Sequence, residues 1–220
     1  MVGLVRSEGW FQPGAGVPPS VITAVGTLST VNNGTSVSHT QGSGADLIVV
    51  GFVHGNTSQT ATCTYGGQSL TLAAVDSIDA GIRDSGAYIF YGLSGVLAAA
   101  SGSTVSVSGA GTQPGIWAQT YSGVAQQVPS DTETYAGTSS SSGEQIAATS
   151  GDLVVGAAMM RRTFSPSITS WEDVSITFSG SIANAAWVAG QVLPASGTLN
   201  CDISGNGDSF SFALATFDAA

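Results

Sequence analysis

Residue types that do chemistry are scarce in this chain. His39 and His54 are its only imidazoles and Cys63 and Cys201 its only thiols, beside 14 carboxylates and many hydroxyls. A hydrolytic triad needs an imidazole beside a nucleophile, and a zinc centre needs further ligands at short spacing. Neither histidine has a second His or Cys placed that way. His54 follows an apolar run ending at Val53 and begins His-Gly-Asn, which reads as a turn, while His39 lies in a Ser/Thr-rich stretch. Both are expected to be solvated or hydrogen-bonded loop histidines. No Gly-x-Ser-x-Gly elbow follows a strand and opens a helix. Paired acids occur at Asp131/Glu133, Glu172/Asp173 and Asp76/Asp79. A glycosidase needs two acids facing one cleft, roughly 5 to 9.5 Å apart, and it commonly uses exposed aromatics. Trp117, Trp171 and Trp187 fall instead in runs that read as buried. No enzyme is expected.

Two oxygen-bearing patterns remain. In Asp202-Ile203-Ser204-Gly205-Asn206-Gly207-Asp208 the side chains of Asp202, Ser204, Asn206 and Asp208 alternate as in the first part of a calcium loop. The distal acid is missing, because residue 213 is alanine, so a Gly/Asn turn is preferred and calcium is the weaker alternative. No other cofactor is expected. Asp46 and Asp152 each stand just before an apolar run and form either a duplicated acid site or, the preferred reading, side chains that bond turn N–H groups. The cysteines pair in an oxidising compartment or stand as two buried free thiols, the reading favoured here.

The chain that must position these groups has 220 residues, enough for a full core. Only 8% of residues are charged, and the cations are Arg6, Arg83, Arg161 and Arg162, giving a net charge of −10. Phosphate neutralisation needs clustered cations, so a nucleic-acid partner is not expected, nor is docking on anionic lipid. No apolar run approaches the length of a membrane helix. The first residues lack the long apolar stretch of a signal peptide, so synthesis in the cytoplasm is expected.

Residues 1–20 hold the Trp10-Phe11 pair, Arg6, Pro13, Pro18 and Pro19 without periodicity, and read as an extended arm. From residue 21 onward, short β-type runs alternate with Gly, Ser and Asn turns. The predicted strands are 21–27, 45–53, 60–65, 69–75, 87–93, 104–108, 116–122, 153–160, 174–178, 185–192, 198–203 and 210–217. No amphipathic helix is found. Asp131–Ser142 reads as a surface connection. An internal echo joins Gly44–Gly51 with Ser150–Gly156, Gly86–Gly92 with Ala185–Gly190, Ser101–Val105 with Ala195–Leu199, and Ile116–Ser122 with Phe210–Phe217. The chain is therefore expected to fold as one β-sandwich domain over 21–220, completed by similar halves at about 21–125 and 143–220.

The Asp-Leu-Val-Val-Gly runs, Thr64-Tyr65-Gly66-Gly67-Gln68-Ser69-Leu70-Thr71-Leu72, Tyr88-Ile89-Phe90-Tyr91 and Tyr121-Ser122-Gly123-Val124 resemble the jelly-roll, lectin-like β-sandwich modules of tailed-phage structural proteins and bacterial surface proteins. The resemblance covers roughly residues 40 to 218 and rests on turn glycines and core strands. It implies an all-β antiparallel jelly-roll-like sandwich and carries no catalytic residues with it. The expected function is that of a virion structural protein, most readily a capsid decoration or head accessory protein. It would bind a major capsid protein or another virion protein, with Arg6, Trp10 and Phe11 of the arm as anchors, and would be homo-oligomeric. The alternative is a glycan-binding module of a tail fibre or cell surface.

Overall fold

The computed structural model describes residues 20–55, 60–78, 84–109, 111–162 and 165–220. Arg6, Trp10 and Phe11, together with Asp79 and Arg83, lie outside them. In the first half the elements are β1 (Thr23–Asn32), β2 (Ser36–Ser38), β3 (Leu47–Gly55), β4 (Thr62–Tyr65), β5 (Gln68–Ser69), β6 (Thr71–Ile78), β7 (Ser85–Leu93), α1 (Ser94–Ala99), β8 (Thr104–Ser108) and β9 (Thr112–Ser122). The second half has β10 (Asp131–Gly137), β11 (Gln145–Arg161), β12 (Ile168–Trp171), β13 (Ser175–Ile182), β14 (Ala185–Asn200), β15 (Ile203–Gly205) and β16 (Ser209–Phe217).

The strand orders show the duplication directly. One five-stranded sheet runs β1-β9-β3-β7-β6 and the other β10-β16-β11-β14-β13. Taken in chain order the two lists match place for place, all neighbours being antiparallel. Three of the echoed segments become matched strands: β3 with β11, β7 with β14, and β9 with β16. The fourth does not. Ser101–Val105 leads into β8, whereas Ala195–Leu199 continues β14 against Gln145–Ala148.

Each half also carries a small sheet, β2-β8-β4-β5 in the first and β12-β15 in the second. The expected sandwich of two similar halves thus has four layers and three cores. Ile48, Val50, Phe52, Tyr88, Phe90 and Val105 fill the space under the first small sheet. Val154, Met160, Trp171, Phe210 and Phe212 fill that under the second. Leu47, Val49, Tyr91, Trp117, Leu153, Val155, Trp187 and Phe217 lie between the two large sheets. Strands β3 and β16 are buried on both faces along their whole length. The run Leu47–Val53 of β3 is accordingly apolar without alternation, the signature of a strand covered on both sides, whereas β16 alternates Ser with Phe before Ala213.

The large sheets stack with β3 over β11, β7 over β16 and β6 over β10 on one side, and β9 over β14 and β1 over β13 on the other. Matched strands exchange places, so the halves are related by a pseudo-two-fold axis running along the strands, as in an isologous dimer built from one chain. The indoles of Trp117 and Trp187 occupy the side where β9 faces β14. A Cβ on Gly51 would lie 1.9 Å from Trp117 Nε1, and one on Gly115 would lie 2.6 Å from Trp187, so those glycines are the room the rings need. Trp187 Nε1 donates to Asn32 Oδ1 at 2.8 Å, and Tyr121 OH donates to Gln191 Oε1 at 3.0 Å, each across the join.

Two expectations are corrected. Asp131–Gly137 is an edge strand paired with Phe210–Thr216, although its Asp, Glu and Thr content reads as a loop. Charge of that kind suits an edge, where it discourages further pairing. A helix exists as well, but α1 spans six residues, too short to establish a period.

Candidate functional site

The end of the described body where Ser20 meets Ala220 gathers a set of polar side chains. Ser20 N–H and Oγ donate to Ala220 O, Ala220 N–H donates to Gly123 O, and Val124 bridges Ala219. The matched aspartates sit here. Asp46 accepts from Gly123 N–H at 2.8 Å and Val124 N–H at 3.3 Å. Asp152 accepts from Thr149 N–H and Oγ1 at 2.6 and 2.7 Å and from Ala219 N–H at 3.2 Å. Each carboxylate closes the segment that follows a matched strand, β9 or β16. The preferred structural reading holds for Asp152, which bonds its own turn, and is corrected for Asp46, which bonds a distant strand end instead.

A cavity of about 290 Å³ opens beside them, lined by Ser130, Asp131, Thr149, Asp152 and Asp218. Three acids therefore converge, the arrangement that acid–base chemistry would need. Their acceptors are already engaged: Asp131 takes Thr132 N–H at 2.9 Å and Ala147 N–H at 2.7 Å, and Asp218 takes Gln127 Nε2. Asp131 and Asp152, held by backbone N–H groups in this way, serve as chain locks.

The loop expectation is overturned for His54, whereas His39 lies outside the strands and is hydrogen-bonded, though buried rather than solvated. His54 lies inside β3, fully buried, stacked against Phe52 at 5.2 Å and Tyr88 at 5.3 Å, with Nε2 3.1 Å from Tyr88 OH. Burial disfavours its charged form and lowers its pKa to about 4. His39 is also fully buried, and burial lowers its pKa too. Its Nδ1 is 3.1 Å from Ser29 Oγ, and its backbone carbonyl accepts from Tyr65 OH. His-Gly-Asn suggests a turn because Gly and Asn are turn residues, yet β3 reaches Gly55 before the chain leaves the sheet. His39 does meet the Ser29 hydroxyl, which lines a depression beside β1, but its Nε2 is buried without a partner, so no acid orients the ring.

The thiols are free and buried in separate cores, Cys63 under the first small sheet and Cys201 under the second. Burial raises both pKa values to about 12, with the Glu133, Asp202 and Glu144 charges adding to the effect at Cys201.

Groups of the candidate calcium run, Asp202 to Asp208, are engaged within the chain. Asp202 accepts from Gly143 and Glu144 N–H groups at 2.8 to 3.0 Å, and Ser204 Oγ lies 2.7 Å from Ser170 Oγ. Asn206 Oδ1 accepts from Ser167 N–H, and Asp208 N–H donates to Arg161 O. Among the described residues no three His, Cys, Asp or Glu side chains are grouped to hold a metal. Sequence reading missed the partner of Asp202. Burial raises the pKa of Glu144, reinforced by the neighbouring Asp202, while the Gly143 N–H lowers that of Asp202. Glu144 and Asp202 are 58 residues apart, and no local spacing announces them.

Two further depressions remain. One of about 320 Å³ is lined by Gly26, Thr27, Ser29, Ser38, Thr40 and Gln41, a hydroxyl-rich wall beside β1. The other, about 330 Å³, runs beside β13 between Ile168, Ser179, Ser181, Ala186 and Val188. No family model, no curated protein and no solved structure matches the chain.

Proposed function

We propose that the chain is a structural protein of a phage particle, a capsid decoration or head accessory protein, that holds the shell by burying surface rather than by turning over a substrate. The observation that carries this reading is an apolar patch at one end of the described body. The two most exposed large apolar side chains among the described residues, Val21 at 79% and Val128 at 68%, stand at the end where Ser20 is fixed to Ala220 and Gly123. The reading joins this patch with Arg6, Trp10 and Phe11, which lie outside the described residues, as aromatic and arginine anchors of the kind that dominate binding energy. The four-layer body behind it acts as a rigid plug. The partner is a major capsid protein or another virion protein.

The test is co-sedimentation with shells assembled from the major capsid protein. The intact chain is expected in the pellet. A chain lacking residues 1–19 is expected in the supernatant with unchanged circular dichroism, and undiminished binding by the truncated form overturns the reading.

The hydroxyl-lined depression beside β1 favours a second reading, a glycan-binding module. Specific retention on a glycan array by the isolated protein, with and without calcium, supports that alternative.

A further inference from the structure

Each large sheet has two edge strands, and the four are not equally protected. Strand β10 carries Asp131 and Glu133, and β6 carries Asp76. Strand β1 has no charge, but Gly42 lies against it at Gly26, where a Cβ would come 3.1 Å from Gly42 N. Strand β13, Ser-Ile-Thr-Phe-Ser-Gly-Ser-Ile, has no charge, no proline and, among the described residues, no strand paired on its open side. A row of unpaired N–H and C=O groups on such a strand is a template for pairing, which proteins normally blunt with charge, proline or a covering segment.

The surroundings of β13 specify a partner. By register with β14, Ile176, Ser179 and Ser181 share the outer face, opposite Gly190, Val188 and Ala186. Ile176 is 38% exposed, and the groove of about 330 Å³ runs past Ser179 and Ser181 over Ile168 and Val188. Glu172 and Asp173 stand in the turn just before the strand. At the other end, Arg162 donates its N–H to Asn184 O in the β13–β14 hairpin, and its side chain is exposed. The strand is thus acidic at its start and basic at its end. Two copies meeting antiparallel about a two-fold axis would place each acidic turn near the other copy's Arg162. Parallel pairing would align like charges. Antiparallel pairing also carries each Ile176 toward the Ser181 end of the other copy, where the groove is.

We propose that β13 is a self-association edge: two copies pair β13 with β13 antiparallel, joining two five-stranded sheets into one of ten strands, with Ile176 of each copy seated in the other's groove. A chain of net charge −10 repels its own kind. A strand that is itself uncharged and ends in opposite charges is where that repulsion is least. This inference does not depend on what the protein covers.

Sedimentation equilibrium of the full chain tests it, at low ionic strength and over a wide concentration range. The expected mass is twice the chain mass of 21.9 kDa. Ile176→Lys should give monomer with an unchanged circular dichroism spectrum, while Thr132→Lys, on exposed β10, should leave the dimer intact. As a second arm that leaves the strand itself untouched, Glu172→Arg or Arg162→Glu alone should weaken the dimer at least 10-fold, and the two together should restore it. A monomeric wild type, a trimer or larger assembly, a dimer indifferent to Ile176→Lys, or charge reversals without mutual rescue would each overturn the proposal.

Discussion

The two halves of this chain share one strand order, yet they are finished differently. The first half covers its outer core with a four-stranded small sheet and places α1 after β7. The second half covers the equivalent face with two strands, and its β14 runs on to Asn200 where the first half turns into the helix. The consequence is local. The outer side of β6 lies on a half with the fuller cover and carries a charge, while the outer side of β13 borders an open groove and carries none. A duplicated frame therefore does not duplicate surfaces. What is common to the halves lies between the large sheets, and what differs lies outside them, where a partner would touch.

That contrast can be broken hardest at the shared core. Trp187→Ala removes a fully buried indole from between the sheets and strands Asn32, and should lower stability by about 3–5 kcal/mol in denaturant unfolding. Trp117→Phe should cost clearly less than Trp187→Phe, because the Trp117 Nε1 is buried without an acceptor and its loss removes an unpaired donor. Equal losses would mean that the two indoles are interchangeable and that the join between halves is symmetric.

Next in size is a pH effect confined to the first half. His54 titrates near 4 in the folded chain because burial penalises its charge, against about 6.5 unfolded. The unfolded chain binds the proton first, so this contribution is present above about pH 6.5 and is lost as pH falls toward 4. The change is on the order of 3 kcal/mol. His54→Phe should flatten stability between pH 6.5 and 4 relative to wild type. The second half contains no histidine among its residues, so the loss of stability caused by imidazole protonation should vanish with His54 and His39.

The smallest test compares the matched aspartates. Asp152 is buried and takes three donors, whereas Asp46 is half-buried and takes two backbone N–H groups. Replacing either with Ala should cost about 1.5–3 kcal/mol, with Asp152→Ala toward the upper end. A larger loss for Asp46→Ala in chemical denaturation would reverse the ranking of the two locks.

Much of the frame is legible from residues alone. Apolar runs such as Leu47–Val53 and Leu153–Met160 cannot be exposed, so they must be strands covered on both sides, and their repetition announces the duplication. The turn-locking role of Asp152 follows from an acid preceding such a run. Other features are illegible for stated reasons. Asp131–Gly137 has loop composition because it is an edge. The echo between Ser101–Val105 and Ala195–Leu199 is one of turn residues, and turns recur without being equivalent. His54 looks like a turn residue because its neighbours are.

By itself, then, the sequence determined the all-β class, the two similar halves and the acidic, nearly uncharged surface, since burial preference and turn chemistry act locally along the chain. Only the tertiary structure decided that the halves stack about a pseudo-two-fold axis, that Glu144 meets Asp202, that both imidazoles are sealed in, and that β13, among the described residues, has no strand paired on its open side. Those outcomes depend on which strand lies beside which, and that pairing is settled by contacts between residues far apart in the chain.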